Sequence, residues 1–128
     1  MQLLIVEDQQ NDIRVAAAVA KESGFSDVEA ATSIAAARAF LEKSLNKTQP
    51  PPDAILLDLD LGYESGFELL RFWHGDPELS KIPVLVWTIL GDHYRDICGM
   101  FKVSAYIDKS TGATALRQVL GELTRIAS

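Results

Sequence analysis

The sequence predicts an α/β domain built on a doubly wound parallel sheet with helices on both faces, and three observations carry that prediction. Short apolar runs of strand length recur at Gln2 to Val6, Val28 to Ala31, Ala54 to Leu57, Val84 to Trp87 and Ala105 to Ile107. The strongest of them are apolar at nearly every position instead of at alternate ones, the pattern of strands covered on both faces. Between them lie stretches whose apolar residues return at helical spacing, so strand and helix alternate and right-handed crossovers can stack onto one sheet.

In chain order, the first strand ends in the pair Glu7-Asp8, and Asn11-Asp12 is suited to begin a helix. That helix places Ile13, Ala16, Ala17 and Ala20 inward, with Arg14, Lys21 and Glu22 outward and Gly24 as its stop. Val28 to Ala31 is a short, weak strand. Ser33 caps a second helix with the face Ile34, Ala37, Leu41 and Leu45, and the polar, proline-rich stretch from Asn46 to Pro52 cannot continue it. Ala54 to Leu57 leads to Asp58. Ser65-Gly66 opens a third helix with Phe67, Leu70 and Trp73 or His74 inward. After the fourth strand and Thr88, a fourth helix is expected with Tyr94, Ile97, Met100 and Phe101 inward, and Gly99 inside it costs about 1 kcal/mol relative to alanine. The fifth strand ends in Asp108-Lys109. A last helix from about Thr111 carries Leu116, Val119, Leu120, Leu123 and Ala127 on one face.

Length and composition bound the function. At 128 residues the chain is expected to form one domain spanning 1–128. The apolar runs fall far short of a bilayer span, and the first has no basic flank or small-residue cleavage site, so a cytoplasmic protein with no membrane partner is expected. One cysteine, Cys98, excludes an intramolecular disulfide and suits a reducing compartment. A net charge of −6 without a basic stripe argues against nucleic acid, whose affinity comes from clustered lysine and arginine.

The residues that end the strong strands define the candidate chemistry. They are Glu7 and Asp8, Asp58, Thr88 and Lys109, with Asp60 close behind Asp58. In a parallel α/β sheet the carboxyl ends of the strands share one rim, where ligands bind. Carboxylates crowded there repel one another unless a cation sits among them, and an oxygen-only ligand set suits Mg²⁺. A carboxylate nucleophile, a hard cation, a lysine and a hydroxyl are what phosphoryl transfer to an aspartate requires.

Four segments in register, LLIVED, ILLDLDLGYESGFELL, VLVWT and YIDKS, resemble the receiver domain of two-component response regulators over nearly the whole chain. The resemblance implies a flavodoxin-like fold with strand order 2-1-3-4-5. It implies phosphorylation at Asp58, with Asp8, Asp58 and the Asp60 carbonyl as Mg²⁺ ligands and Glu7 assisting through bound water. Thr88 and Lys109 then contact phosphoryl oxygens, Thr88 and Tyr106 form the switch, and the donor is a histidine kinase or histidine phosphotransfer protein in a phosphorelay. The domain is then a signalling switch and not a conventional enzyme, although it assists its own phosphorylation and dephosphorylation. An unidentified downstream protein is expected to bind at the fourth helix, fifth strand and fifth helix, because these residues hold no output domain, unless they are a piece of a longer protein.

Four positions depart from the family pattern: Gly62 and Ser110 stand where proline is usual, Ile89 where a small residue is common, and Asp60 adds a carboxylate. The Lys109-Ser110 bond is open to cis or trans. Two alternatives accompany this reading. Asp58-Leu59-Asp60 also looks like the paired aspartates of haloacid-dehalogenase-type phosphatases, and an unphosphorylated pseudo-receiver would share the fold. His74 and His93 have no second ligand at metal spacing. Trp73, Trp87 and Cys98 read as core.

Overall fold

The main sheet is parallel and five-stranded, with strands β1 (Gln2–Val6), β2 (Asp27–Ala31), β3 (Ala54–Leu57), β6 (Val84–Thr88) and β7 (Ala105–Asp108) in the order β2-β1-β3-β6-β7. A short separate hairpin, β4 (Asp60–Leu61) with β5 (Glu64–Ser65), follows β3. This computed structural model describes residues 1–127; Ser128 and the Ala127 side chain lie outside the described residues. Because β6 and β7 are the fourth and fifth strands of the main sheet, the order is the expected 2-1-3-4-5. The fold is the doubly wound, flavodoxin-like one expected from the sequence.

The uniform apolar strands now have their explanation, since consecutive side chains leave a strand on opposite faces. Leu4, Val6, Ile55, Leu57, Val84 and Val86 pack beneath helices α2 (Ile34–Leu45) and α3 (Gly66–His74), against Ala37, Leu41, Leu70 and Trp73. Leu3, Ile5, Ala54, Leu56, Leu85 and Trp87 pack beneath α1 (Gln10–Glu22) and α5 (Thr114–Ala127), against Ala16, Ala20, Leu116 and Leu120. Each fully buried aliphatic side chain of this kind stabilises the fold by about 1.5–3 kcal/mol.

The caps at Ser33 and Ser65 form, whereas the first helix begins at Gln10, ahead of Asn11-Asp12, with Gln9 at the cap position and no side-chain cap bond. Ser33 Oγ accepts from the Ala36 N–H at 3.1 Å and Ser65 Oγ from the Phe67 N–H at 3.2 Å. In α3 the inward aromatic at the helix end is Trp73, whose Nε1 donates to the Ile82 carbonyl at 2.9 Å, while His74 is exposed and meets the edge of Phe101.

The fourth helix differs from expectation. A 3-10 turn at Gly91–Tyr94 precedes a helix α4 of only six residues, Arg95–Met100. Its buried residue is Cys98, with Tyr94 and Phe101 beside it on the core, whereas Ile97 and Met100 are 45% and 78% exposed. Positions 94, 98 and 101 share a helical face as readily as 94, 97 and 101 do, and the small thiol lets the turn approach the sheet. The last helix likewise starts later, because Lys109–Thr111 forms a 3-10 turn and Gly112 takes φ +76 before α5 begins at Thr114.

Candidate functional site

Registry puts the strand ends level. Val6 pairs with Leu57, Leu57 with Val86, and Thr88 with Asp108, so Glu7, Asp58, Thr88 and Lys109 emerge along one rim. Asp58 is anchored first by its backbone, whose N–H donates to the Val6 carbonyl at 3.0 Å. The chain then folds back against itself. The Gly66 N–H donates to the Leu59 carbonyl at 2.8 Å, and a Cβ at position 66 would lie 2.4 Å from the Asp58 carbonyl oxygen. Only glycine permits that approach.

Glu7 is 1% exposed and uses both carboxylate oxygens. Its Oε1 accepts from the N–H groups of Asp8 and Gln9, each at 3.1 Å, at the entrance to α1, while Oε2 accepts from Lys109 Nζ at 2.6 Å. Burial pushes its pKa up to about 7; the Asp58 charge acts in the same direction and the Lys109 hydrogen bond opposes it.

Asp58 is 4% exposed, its Oδ1 accepting from the Asp60 N–H at 3.1 Å and its Oδ2 from Lys109 Nζ at 3.0 Å. Lys109 Nζ also donates to Asp12 Oδ2 at 2.7 Å and lies 4.8 Å from the Trp87 ring centroid. Burial alone would lower the lysine pKa. Hydrogen bonds to Asp12 and Glu7 and the Asp58 charge outweigh it and hold the ammonium above its ordinary range. The peptide bond between Lys109 and Ser110 is trans, and Asp108 Oδ1 accepts from the Ser110 N–H at 2.8 Å.

Among the described residues, Glu7, Asp8 and Asp58 each offer a carboxylate oxygen, and these oxygens lie within 4.8 Å of one another. Like charges that close, with one lysine to offset them, form the oxygen-only donor set that fits a hard divalent cation. The cleft above them, about 470 Å³, is lined by Asp8, Gln9, Asp12, Asp58, Asp60, Gly62, Ile89 and Lys109. The Asp60 side chain is exposed, outside that oxygen triad. Gly62, at φ +72, turns the hairpin, a conformation that proline's locked φ of about −65° forbids.

Thr88 is fully buried, and its Oγ1 accepts from the Leu90 N–H at 3.2 Å. Ile89 beside it is 60% exposed at the cleft. Tyr106 is half-buried on β7, where its hydroxyl donates to the Gly91 carbonyl. The Arg95 guanidinium sits 4.8 Å from the Tyr106 ring centroid and donates to the Tyr106 carbonyl at 3.3 Å.

Two residues matter here that the sequence reading used otherwise. Asp12 is read as a helix start, yet it reaches from the first turn of α1 to Lys109 at the end of β7, a contact that no local spacing announces. Gly66 is read as a helix opener, yet it makes room for the Asp58 backbone, and no local pattern announces a contact between positions separated by a hairpin.

The family model for the response regulator receiver domain matches residues 3–121. Response regulator Rcp1 of Synechocystis sp. is 33% identical over 112 residues, covering 84% of this chain and 76% of that protein. Protein RcaC of Microchaete diplosiphon is 30% identical over 90 residues, 70% of this chain but only 13% of that protein. Among solved structures, the Mn²⁺-bound form of Rcp1 superposes with a TM-score of 0.77 at 30% identity, covering 95% of this chain and 90% of that one. The phosphorylated cyanobacterial phytochrome response regulator RcpA gives 0.79 at 29% identity, covering 95% and 89%.

Proposed function

The chain belongs to the response regulator receiver domain family of two-component signalling, and we propose that within it Asp58 accepts a phosphoryl group from a phosphohistidine, on a histidine kinase or a histidine phosphotransfer protein. The observation that carries this reading is the Lys109 ammonium, which contacts Asp58 Oδ2 at 3.0 Å beside the Glu7, Asp8 and Asp58 oxygens. Residues 1–128 act as one receiver unit.

In the transfer, an Asp58 carboxylate oxygen attacks phosphorus in line with the leaving imidazole nitrogen. The O–P bond forms as the P–N bond breaks, and the imidazole keeps the electron pair. Lys109 then donates to one phosphoryl oxygen and the Thr88 hydroxyl to another, while the Asp60 N–H continues to hold the carboxyl end of Asp58. Asp8, Asp58 and the Asp60 carbonyl would hold a Mg²⁺ ion, with Glu7 assisting through bound water, and the ion would supply neutralisation of the charge on the phosphoryl oxygens. The Mn²⁺-bound Rcp1 and phosphorylated RcpA structures support this reading. Because RcpA is a phytochrome response regulator, a phytochrome-type kinase is the first donor to try.

The switch follows from the Thr88 movement that phosphorylation demands. When Thr88 Oγ1 turns to the phosphoryl group it releases the Leu90 N–H, loosening the turn at Gly91 that holds the Tyr106 hydroxyl. Tyr106 then turns inward, and the face made by α4, β7 and α5 changes for a downstream protein. Among the described residues no helix is long and apolar enough to cross a membrane, and the site of action we propose is the cytoplasm.

Intact-mass analysis after incubation with a small-molecule phosphoryl donor, with and without Mg²⁺, tests the reading. One Mg²⁺-dependent phosphoryl adduct, labile to base and absent from Asp58→Asn, is expected. Turnover of a small phosphate ester that disappears in Asp60→Asn would favour the phosphatase alternative instead.

A further inference from the structure

Each proton of the Lys109 ammonium has a carboxylate partner: Glu7 Oε2 at 2.6 Å, Asp12 Oδ2 at 2.7 Å and Asp58 Oδ2 at 3.0 Å. An ammonium has three donors, so the set is complete. Two of these partners already have a place in the phosphoryl site. The third, Asp12, stands in the first turn of α1, outside the triad of Glu7, Asp8 and Asp58, and nothing in the transfer described above uses it.

A role confined to its own helix accounts for Asp12 only in part. An acid in the first turn interacts favourably with the helix dipole while facing water. The Asp12 side chain is only 34% exposed, and its oxygen reaches from α1 to the end of β7, onto an ammonium whose side chain is 10% exposed. Lysine carries its charge on a flexible four-carbon stem, so one anchor leaves the head free to turn. Competing acceptors are close, since Asp8 and Asp60 line the same cleft.

We propose that Asp12 is a positioning residue for Lys109: together with Glu7 it holds two of the ammonium's protons, so that the third is directed at Asp58 and, after transfer, at a phosphoryl oxygen. The proposal rests on Asp58 being the phosphoryl acceptor. Asp12 touches neither the donor nor the reacting atoms and acts through the lysine alone.

The test compares the natural chain with Asp12→Ala and Asp12→Asn by two readouts. The first is the phosphorylation rate with a small-molecule donor at saturating Mg²⁺. The second is tryptophan emission without donor or metal. Trp87 lies under the Lys109 ammonium, whereas Trp73 packs in the core on the other face of the sheet, so an emission change reports the lysine. Asp12→Ala is expected to slow phosphorylation about tenfold, the worth of one hydrogen bond to a charged group, and to shift Trp87 emission. Asp12→Asn keeps an acceptor oxygen and is expected to recover most of the rate. A purely helical role predicts the opposite pattern, with a lowered thermal midpoint in both variants and neither rate nor emission altered, and that result would overturn the proposal. If the natural chain forms no adduct at all, the reading of Asp58 fails, and unchanged emission in Asp12→Ala would then remove the anchoring role as well.

Discussion

The two sides of the cleft are built differently. On the side of β3, Asp58 is buried, its backbone is bonded to β1, and the Gly66 backbone lies against it too closely for any side chain. On the side of β6, the buried Thr88 gives way at once to the exposed Ile89, a 3-10 turn, and a six-residue helix with Gly99 inside it and Ile97 and Met100 facing solvent. The first side is over-determined and the second is lightly held. On the proposed reading, a carboxylate that presents one oxygen in line to phosphorus needs a rigid support. On the same reading, a segment that exists in two arrangements of similar energy needs few buried contacts.

The largest expected effect tests the rigid side. Gly66→Ala places a methyl group against the Asp58 and Leu59 backbone, and a loss of about 3 kcal/mol or more is expected in urea unfolding, together with loss of the phosphoryl adduct. Near-natural stability in this variant would break the contrast between the two sides.

Glu7 sharpens it. Its carboxyl is raised to about 7 by burial, so below that pH a bound cation must displace a proton. Mg²⁺ affinity, followed by tryptophan emission, is expected to rise about tenfold per pH unit up to about 7 and to level off above it. In chelator the sign reverses: the folded chain holds this proton more tightly than the unfolded one, so Glu7's contribution to stability is fully present below the ordinary value of 4.5 and is lost as pH rises to about 7. Glu7→Gln should flatten both profiles.

On the lightly held side, a Cβ at Gly99 would meet nothing within 4 Å. Gly99→Ala is therefore expected to stabilise the domain by about 0.5–1 kcal/mol in urea unfolding. The smallest effect belongs to Arg95→Ala. Arg95 ties α4 to Tyr106 through the ring and the carbonyl, but its side chain is 51% exposed, so a change of only about 0.5 kcal/mol is expected. Amide exchange should nevertheless quicken locally from Gly91 to Met100. Unaltered exchange there would show that Tyr106 is held by its hydroxyl alone.

How far the sequence was legible follows the same division. The α/β architecture, the caps at Ser33 and Ser65, the buried strands and the acids that end them are consequences of local pattern, because helical and strand periods are written in neighbouring residues. The fourth helix was legible as an element and not as a face, since Cys98 and Ile97 compete for the inward position and only packing against the sheet decides between them. The hairpin of β4 and β5 was hidden because each strand has two residues, too few to show a period.

By itself, then, the sequence determined the sheet, its covering helices and which residues arrive at the rim, since strand ends and residue types need no knowledge of distance. Tertiary structure alone decided how they meet: that Lys109 is shared among Glu7, Asp12 and Asp58, that Gly66 must lack a side chain, and that Tyr106 is fastened to Gly91 and Arg95. The physical reason is the length of chain between partners. Lys109 stands 102, 97 and 51 residues from its three carboxylates, and contacts at such separations are set by the folding of the whole sheet.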